Sequence, residues 1–427
     1  ASSLLRTPAE NDILLSHFAC AHKKGWLDMG AKSKTLSFNI QYAALQGVYW
    51  LTFCACVAFA AVYMQYRGHS NSVIGATLAL GNIIGVILSA ALASLADRHG
   101  RAGLFGALIG LLLAALAFQG IFLLVRGASP LVLAGYCLYV ACVNAGGGLT
   151  TQLSAELAHC CGGINFGAAR GTGSLFYSLG ATAIGLLLER LSPAALPGAA
   201  IFGLAAQALI IAALAMQLRR ETDAAPAAVG TAAASGLIDF FRGNRRFCCM
   251  MLGTALLFFS HNVLTSFFIN VVRTAGGSAA DLGRITGFMA LIEIPVMLLY
   301  DRLTRRVSAP ACMRIAAAGF VVKALAFALA PNVPALYAAC IFQAVSFALI
   351  TPASVRYVTL YVSASDAAKG QSVAFGVTTL ASIFAASIGG VLFDAMSARS
   401  VLLVAAAVAA AGAVATITFS APGKAAQ

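Results

Sequence analysis

Ionisable residues interrupt apolar runs in a chain otherwise sparing with charge, Arg170, His261, Glu293 and Lys323 among them. Arg170, Ser174 and Tyr177 follow an i, i+4, i+7 spacing, which puts a cation, a hydroxyl and a ring on one helical face. That combination suits a ligand with hydroxyls or a carboxylate and an apolar face. The competing reading is that Arg170, near the start of its run, reaches back to lipid headgroups. Glu293 stands eight residues before Asp301; at 1.5 Å per residue this is roughly 12 Å from the charged turn. A charge at that depth is costly unless it is paired or faces water. Pairing Glu293 with Lys323 offsets both desolvation penalties and leaves a carboxylate able to exchange its partner for a proton. A purely structural salt bridge between neighbouring helices is the alternative.

His261 and Asn262 fall midway along another apolar run, inside Phe258-Phe-Ser-His-Asn. An imidazole there either relays protons or serves as a hydrogen-bonding core residue. Asn82, Asn144, Gln46, Asn270 and Gln343 are neutral donors and acceptors that line a hydrophilic path or tie helices together.

The elements that hold these groups are membrane helices. The 427 residues are 60% hydrophobic and only 10% charged, with mean hydropathy +0.89, whereas a soluble chain carries about a quarter charged residues. Apolar runs recur near 43–65, 73–95, 103–125, 131–155, 168–189, 196–217, 247–271, 281–300, 311–330, 334–355, 370–393 and 398–419, each long enough to cross a bilayer. Glu293 and Pro295 make the run at 281–300 the least distinct. Gly81-x-x-x-Gly85 and Gly106-x-x-x-Gly110 have the spacing of close helix–helix seams. The net charge of +13 is spread between apolar runs and forms no single patch, which argues against a nucleic-acid partner.

Two charged turns, Asp97-Arg98-His99-Gly100-Arg101 and Asp301-Arg302-Leu-Thr-Arg305-Arg306, recur at the same point of each half. Ala114-Ala-Leu-Ala-Phe118 matches Lys323-Ala-Leu-Ala-Phe327, and Ala169-Arg170-Gly171 matches Ala368-Lys369-Gly370, in the same order. The chain is therefore a six-plus-six repeat. Glu293 and Lys323 answer to Ser89 and Ala114 in the first half, so the shared scaffold does not require their charges. Asp97, Arg98, Arg101, Asp301, Arg302 and Arg305 read as gating and topology elements.

The expected layout is a polar cytoplasmic arm at 1–41, one six-helix bundle at 42–218, a cytoplasmic linker at 219–245, a second bundle at 246–420 and a tail at 421–427. The arm has no apolar core of the signal-peptide kind. With the N-terminus inside, cytoplasmic segments hold Arg98, Arg101, Arg219, Arg220, Arg242, Arg245, Arg246, Arg302, Arg305 and Arg306 among others. Outer loops then hold only Arg67, Arg126, Arg190, Arg273, Arg284 and Arg399. This asymmetry puts both termini in the cytoplasm.

The Asp97–Arg101 turn resembles the loop between helices two and three of the major facilitator superfamily. Three further stretches resemble its branch containing lactose permease, sugar efflux transporters and the phenylpropionate permease: Asn165-Phe-Gly-Ala-Ala-Arg170-Gly-Thr-Gly-Ser174, Ile292-Glu293-Ile-Pro295 and Gly389-Gly-Val-Leu-Phe-Asp394. The resemblance runs from about 43 to 419 and implies an all-α membrane protein, twelve transmembrane helices in two pseudo-symmetric bundles. It also implies that Arg170 binds sugar hydroxyls, that Tyr177 takes the place of a stacking tryptophan, and that Glu293 serves both sugar and proton. Gln152 stands where that permease has an acidic sugar ligand. Lys323 replaces an arginine, and Gln343 and Ser346 replace a histidine and a carboxylate of its proton relay.

There is no P-loop, no G-x-S-x-G and no H-E-x-x-H, so the expectation is a transporter and not an enzyme, with no metal or cofactor. The function expected is alternating-access transport of a sugar- or glycoside-like solute across the inner membrane, driven by the proton gradient. Substrate contacts are expected from Arg170, Ser174, Tyr177, Asn144, Gln152, His261, Asn262 and Gln343, and proton coupling from Glu293 and Lys323. The alternatives are an aromatic or other organic acid, an exporter or facilitator without proton coupling, and a non-transporting membrane sensor. The expected partners are a small-molecule substrate and the lipid bilayer, with the chain acting as a monomer.

Overall fold

The computed structural model describes residues 35–161, 164–221, 237–363 and 366–420, and every regular element among them is helical. Helix α1 spans Thr35–Ala58, winds its last turn, Cys54–Ala58, as a π-helix, and continues as Ala60–Tyr66. It therefore begins inside the stretch read as a polar arm. Next comes one run, Asn71–Leu124, of 54 residues. At 1.5 Å per residue it would be about 80 Å long, far more than a bilayer core of about 30 Å. Gly100, at φ 60 and ψ −147, breaks the helical path; no side chain is comfortable there, and the glycine lets the chain turn back. Residues 71–99 are α2 and 101–124 are α3.

The first half is completed by α4 (Pro130–Cys161), α5 (Phe166–Leu191) and α6 (Leu196–Glu221). A short helix at Leu237–Gly243 lies within the segment read as a linker. The second half consists of α7 (Arg245–Ser266, continued as Phe268–Thr274), α8 (Ala279–Leu303), α9 (Ala309–Leu329), α10 (Val333–Tyr361), α11 (Ala367–Ala395) and α12 (Ala398–Phe419). Among the described residues, eleven candidate spans, one of them crossing twice, make twelve transmembrane helices. Despite Pro295, α8 is one continuous helix.

Short polar residues start these helices where the apolar runs begin. Ser70, Asn165, Ser308, Asn332 and Ser397 each accept from a backbone N–H of the first turn, and Ser278 forms a reciprocal capping box with Asp281. Arg67, read as an outer-loop charge, is buried: it donates to the Tyr63 hydroxyl and to the carbonyls of Phe122 and Val125, satisfying the end of α3. Gly81 and Gly85 meet α4 as their spacing suggests. Gly106 and Gly110 do not form the expected seam, because both face open space.

The halves meet along two antiparallel pairs, α2 with α11 and α5 with α8. Gly75 and Gly390 bring the first pair into backbone contact, and Gly185, Gly283 and Gly287 do the same for the second. A Cβ at Gly75, Gly283 or Gly390 would collide with a carbonyl of the facing helix. All of these approaches lie at the end formed by the start of α2 and the end of α11. Hydrogen bonds between the halves gather at the same end: Gln65 with Asn270 and Arg273, Asn270 with Asn71, and Asp394 with Asn71 and Ser72. The molecule is thus sealed across the halves at the end away from the Asp97 and Asp301 turns.

Candidate substrate path

The α5–α8 contact fixes what faces what in the interior. Gly283 sits against Ala181 and Gly185, and Gly287 against Ser178. Continuing this antiparallel register by one to two turns brings Glu293 opposite the Arg170–Ser174 stretch, just beyond the seal. Arg170 and Glu293 are both half-buried, and the charges of Arg170 and Lys323 both act on the Glu293 carboxylate.

On the first-half wall, Arg170 Nη1 donates to Ser174 Oγ at 2.9 Å, so two of the three residues on the expected stripe are joined directly. The guanidinium carbon lies 4.0 Å above the ring of Trp50 on α1. Gly173 leaves room for that indole to lie against α5. Trp50 Nε1 donates to Gln46 Oε1 at 3.2 Å, and Gln46 Nε2 donates to the Tyr42 hydroxyl at 2.7 Å. Tyr177 meets the edge of Trp50 at a ring separation of 6.5 Å. The bound arginine therefore points into the bundle, onto an aromatic platform, and not back toward headgroups. Sequence reasoning missed Trp50. The available signal was one of only two tryptophans in the chain, four residues after Gln46 within the first apolar run.

On the second-half wall, Glu293 and Lys323 do not form the direct ion pair expected of them. Gln343 stands between the two: its Nε2 donates to Glu293 Oε1 at 2.8 Å, and its Oε1 accepts from Lys323 Nζ at 3.0 Å. Lys323 also lies 2.9 Å from His261 Nδ1 and 4.9 Å from the centre of the Phe320 ring. Lys323 is 1% exposed, Gln343 2% and His261 7%. The amide fits here because α10 changes winding at Ile341–Gln343, a 3₁₀ segment, and departs from helical geometry at Ser346. Gly319 lets α9 approach that irregular stretch. Asn262 is half-buried beside His261.

Two expected contacts lie elsewhere. Asn144 donates to Asn82 at 2.7 Å and ties α4 to α2. Gln152 donates to Asp97 Oδ1 at 2.9 Å and belongs to the charged turn. Arg101 pairs with Glu156 on α4, and Asp301 lies 4.0 Å from Arg356 on α10. A step of fifty-five residues separates the partners in all three pairs, so the sequence repeat survives as a repeated turn-to-helix contact. Arg98, Arg302 and Arg305 are exposed around these turns.

Twelve helices in two bundles, with polar groups of both bundles converging where they meet, define a multi-pass membrane carrier of the major facilitator type. Residues 42–404 match the MFS_1 like family, and the chain belongs to it. It is 27% identical to the maltose permease of Geobacillus stearothermophilus over 332 residues, 77% of this chain and 79% of that protein. Among solved structures it is similar to the nucleoside transporter NupG (TM-score 0.73, 16% identity, 89% of this chain and 98% of that one). A bacterial homologue of the lysosomal transporter Spinster, solved inward-facing and occupied, also shares the fold (TM-score 0.64, 14% identity, 90% and 96%).

Proposed function

We propose that this transporter moves a small polar organic solute of the sugar or glycoside class across the inner membrane, with the proton gradient as driving force. Both termini are cytoplasmic in this reading, so the end bearing the Asp97 and Asp301 turns faces the cytoplasm. The observation that carries it is Glu293: an interior carboxylate held by the Gln343 amide, which joins it to Lys323, on the helix that forms half of the α5–α8 boundary. A carboxylate so placed exchanges a hydrogen-bond partner for a proton as the halves rock, which links proton movement to the conformational change. Trp50 and Tyr177 supply a ring face, and Arg170, Ser174 and Gln46 supply hydroxyl partners. The likeness to a maltose permease supports the sugar class.

The test is uptake of labelled glycosides into proteoliposomes under an imposed pH gradient. Glu293→Gln is expected to abolish uphill accumulation while exchange down the substrate's own gradient continues. Accumulation that still follows the pH gradient in Glu293→Gln would reduce Glu293 to a structural partner.

A further inference from the structure

Arg170, Lys323 and Glu293 face the interior, and among the described residues none of the three forms an ion pair. Among the described residues, Arg170 makes one side-chain hydrogen bond, to the neutral Ser174 hydroxyl, and stacks on a neutral ring. Lys323 is surrounded by the neutral His261 and Gln343 and by the face of Phe320. Glu293 accepts from a neutral amide. The other acidic residues of the described helices lie near their ends: Asp97, Glu156, Glu189, Glu221, Asp239, Asp281, Asp301 and Asp394. Two basic groups therefore face one carboxylate, and protonation of Glu293 would leave Arg170 without a counter-charge among the described residues.

An uncompensated cation inside a membrane protein calls for an anion. Arg170 is the cation available to meet one. It is half-buried, whereas Lys323 is enclosed, and most of its planar fork of N–H donors is unused by protein. We propose that the substrate of this path carries one negative charge among its hydroxyls, as a sugar acid does. The inference rests on the crevice between the halves being the substrate path. In it, the ligand carboxylate engages Arg170 and its ring face meets Trp50. Its hydroxyls meet the Ser174 hydroxyl and the N–H groups of Arg170 that the protein leaves unused.

The experiment uses the purified full chain and a panel of uronates and aldonates, each compared with its neutral amide, together with glucose and benzoate. Affinities are read by calorimetry, with thermal shift in parallel. At least one sugar acid is expected to bind about tenfold or more tightly than its own amide, the contribution of one charge-assisted contact. Arg170→Gln should bring that ratio to near one, and Arg170→Lys should restore part of it. The matched pairs on the unaltered chain decide the matter even where a variant fails to fold. Amides or glucose binding as tightly as the acids would overturn the anionic substrate and leave the sugar reading standing. Binding of benzoate alone would overturn both readings. Failure of every uronate and aldonate to bind would overturn the inference.

Discussion

Gln343 is the residue on which the interior polar cluster depends, because it satisfies a cation with its oxygen and a carboxylate with its nitrogen. Neither bond can be replaced by an apolar side chain of similar size. Gln343→Leu should leave Lys323 and Glu293 each short of a partner, and a buried orphan of this kind costs about 1–3 kcal/mol. The expected result is a lowered unfolding temperature in detergent together with loss of gradient-driven uptake. An unchanged melting temperature would mean that the Lys323–Gln343–Glu293 chain is not maintained. The charged members of this chain were legible in the sequence, because an ionisable residue in an apolar run demands an explanation. The amide between them was not. Neutral amides serve as helix ties as readily as site residues, and Asn144, bonded to Asn82, is such a tie. Gln152 looked like a ligand residue by resemblance but lies on the Asp97 turn, because fifty-five residues of helix and turn bring those two side chains to the same end.

At the scale of elements, the sealed end is a helix-capping arrangement made between the halves. Asp394, at the end of α11, accepts from the backbone N–H groups of Asn71 and Ser72 at 3.0 and 2.7 Å, and from their side chains at 2.9 and 2.5 Å. An anion is favourable at the positive end of a helix, here the start of α2, and the bonds satisfy donors the helix cannot use itself. These bonds exist only while α2 and α11 touch, so they stabilise one arrangement of the halves and not the other. Losing a cap of this type costs about 1 kcal/mol. Asp394→Ala should therefore shift the balance several-fold toward the form open at the Asn71 end. Spin-label distances between Ser70 and Ser397 would report this as a larger long-distance population. A distance distribution identical to the parent's would show that the cap has no part in the balance. Gly75 and Gly390 act with it, since without a Cβ they let the two backbones meet.

At the scale of the whole molecule, the sequence repeat predicts two bundles and the structure contains two bundles, joined where α2 meets α11 and α5 meets α8. The charged turns of both bundles lie at one end, and the hydrogen bonds that join Gln65, Asn71 and Ser72 to Asn270, Arg273 and Asp394 lie at the other. Single cysteines placed in the exposed turns at Arg98 and Arg302, in a cysteine-free background, should react with a membrane-impermeant thiol reagent only from the cytoplasmic side. Labelling from outside would reverse the orientation and with it the side on which the charged turns lie.

The sequence by itself determined the twelve helices, the two halves and the turns that relate them. Those properties follow from the cost of leaving backbone and charge in hydrocarbon, which acts on each segment independently. It also picked out Arg170, Glu293, Lys323 and His261, since each charge or imidazole stands out against its own run. Only the tertiary structure decided which of these groups meet. The stacking of Arg170 on Trp50 joins α5 to α1, and the bridge through Gln343 joins α8, α10 and α9. Such contacts depend on helix rotation and on the irregular winding of α10, which are set by the packing of several helices at once and leave no periodic trace in any one of them.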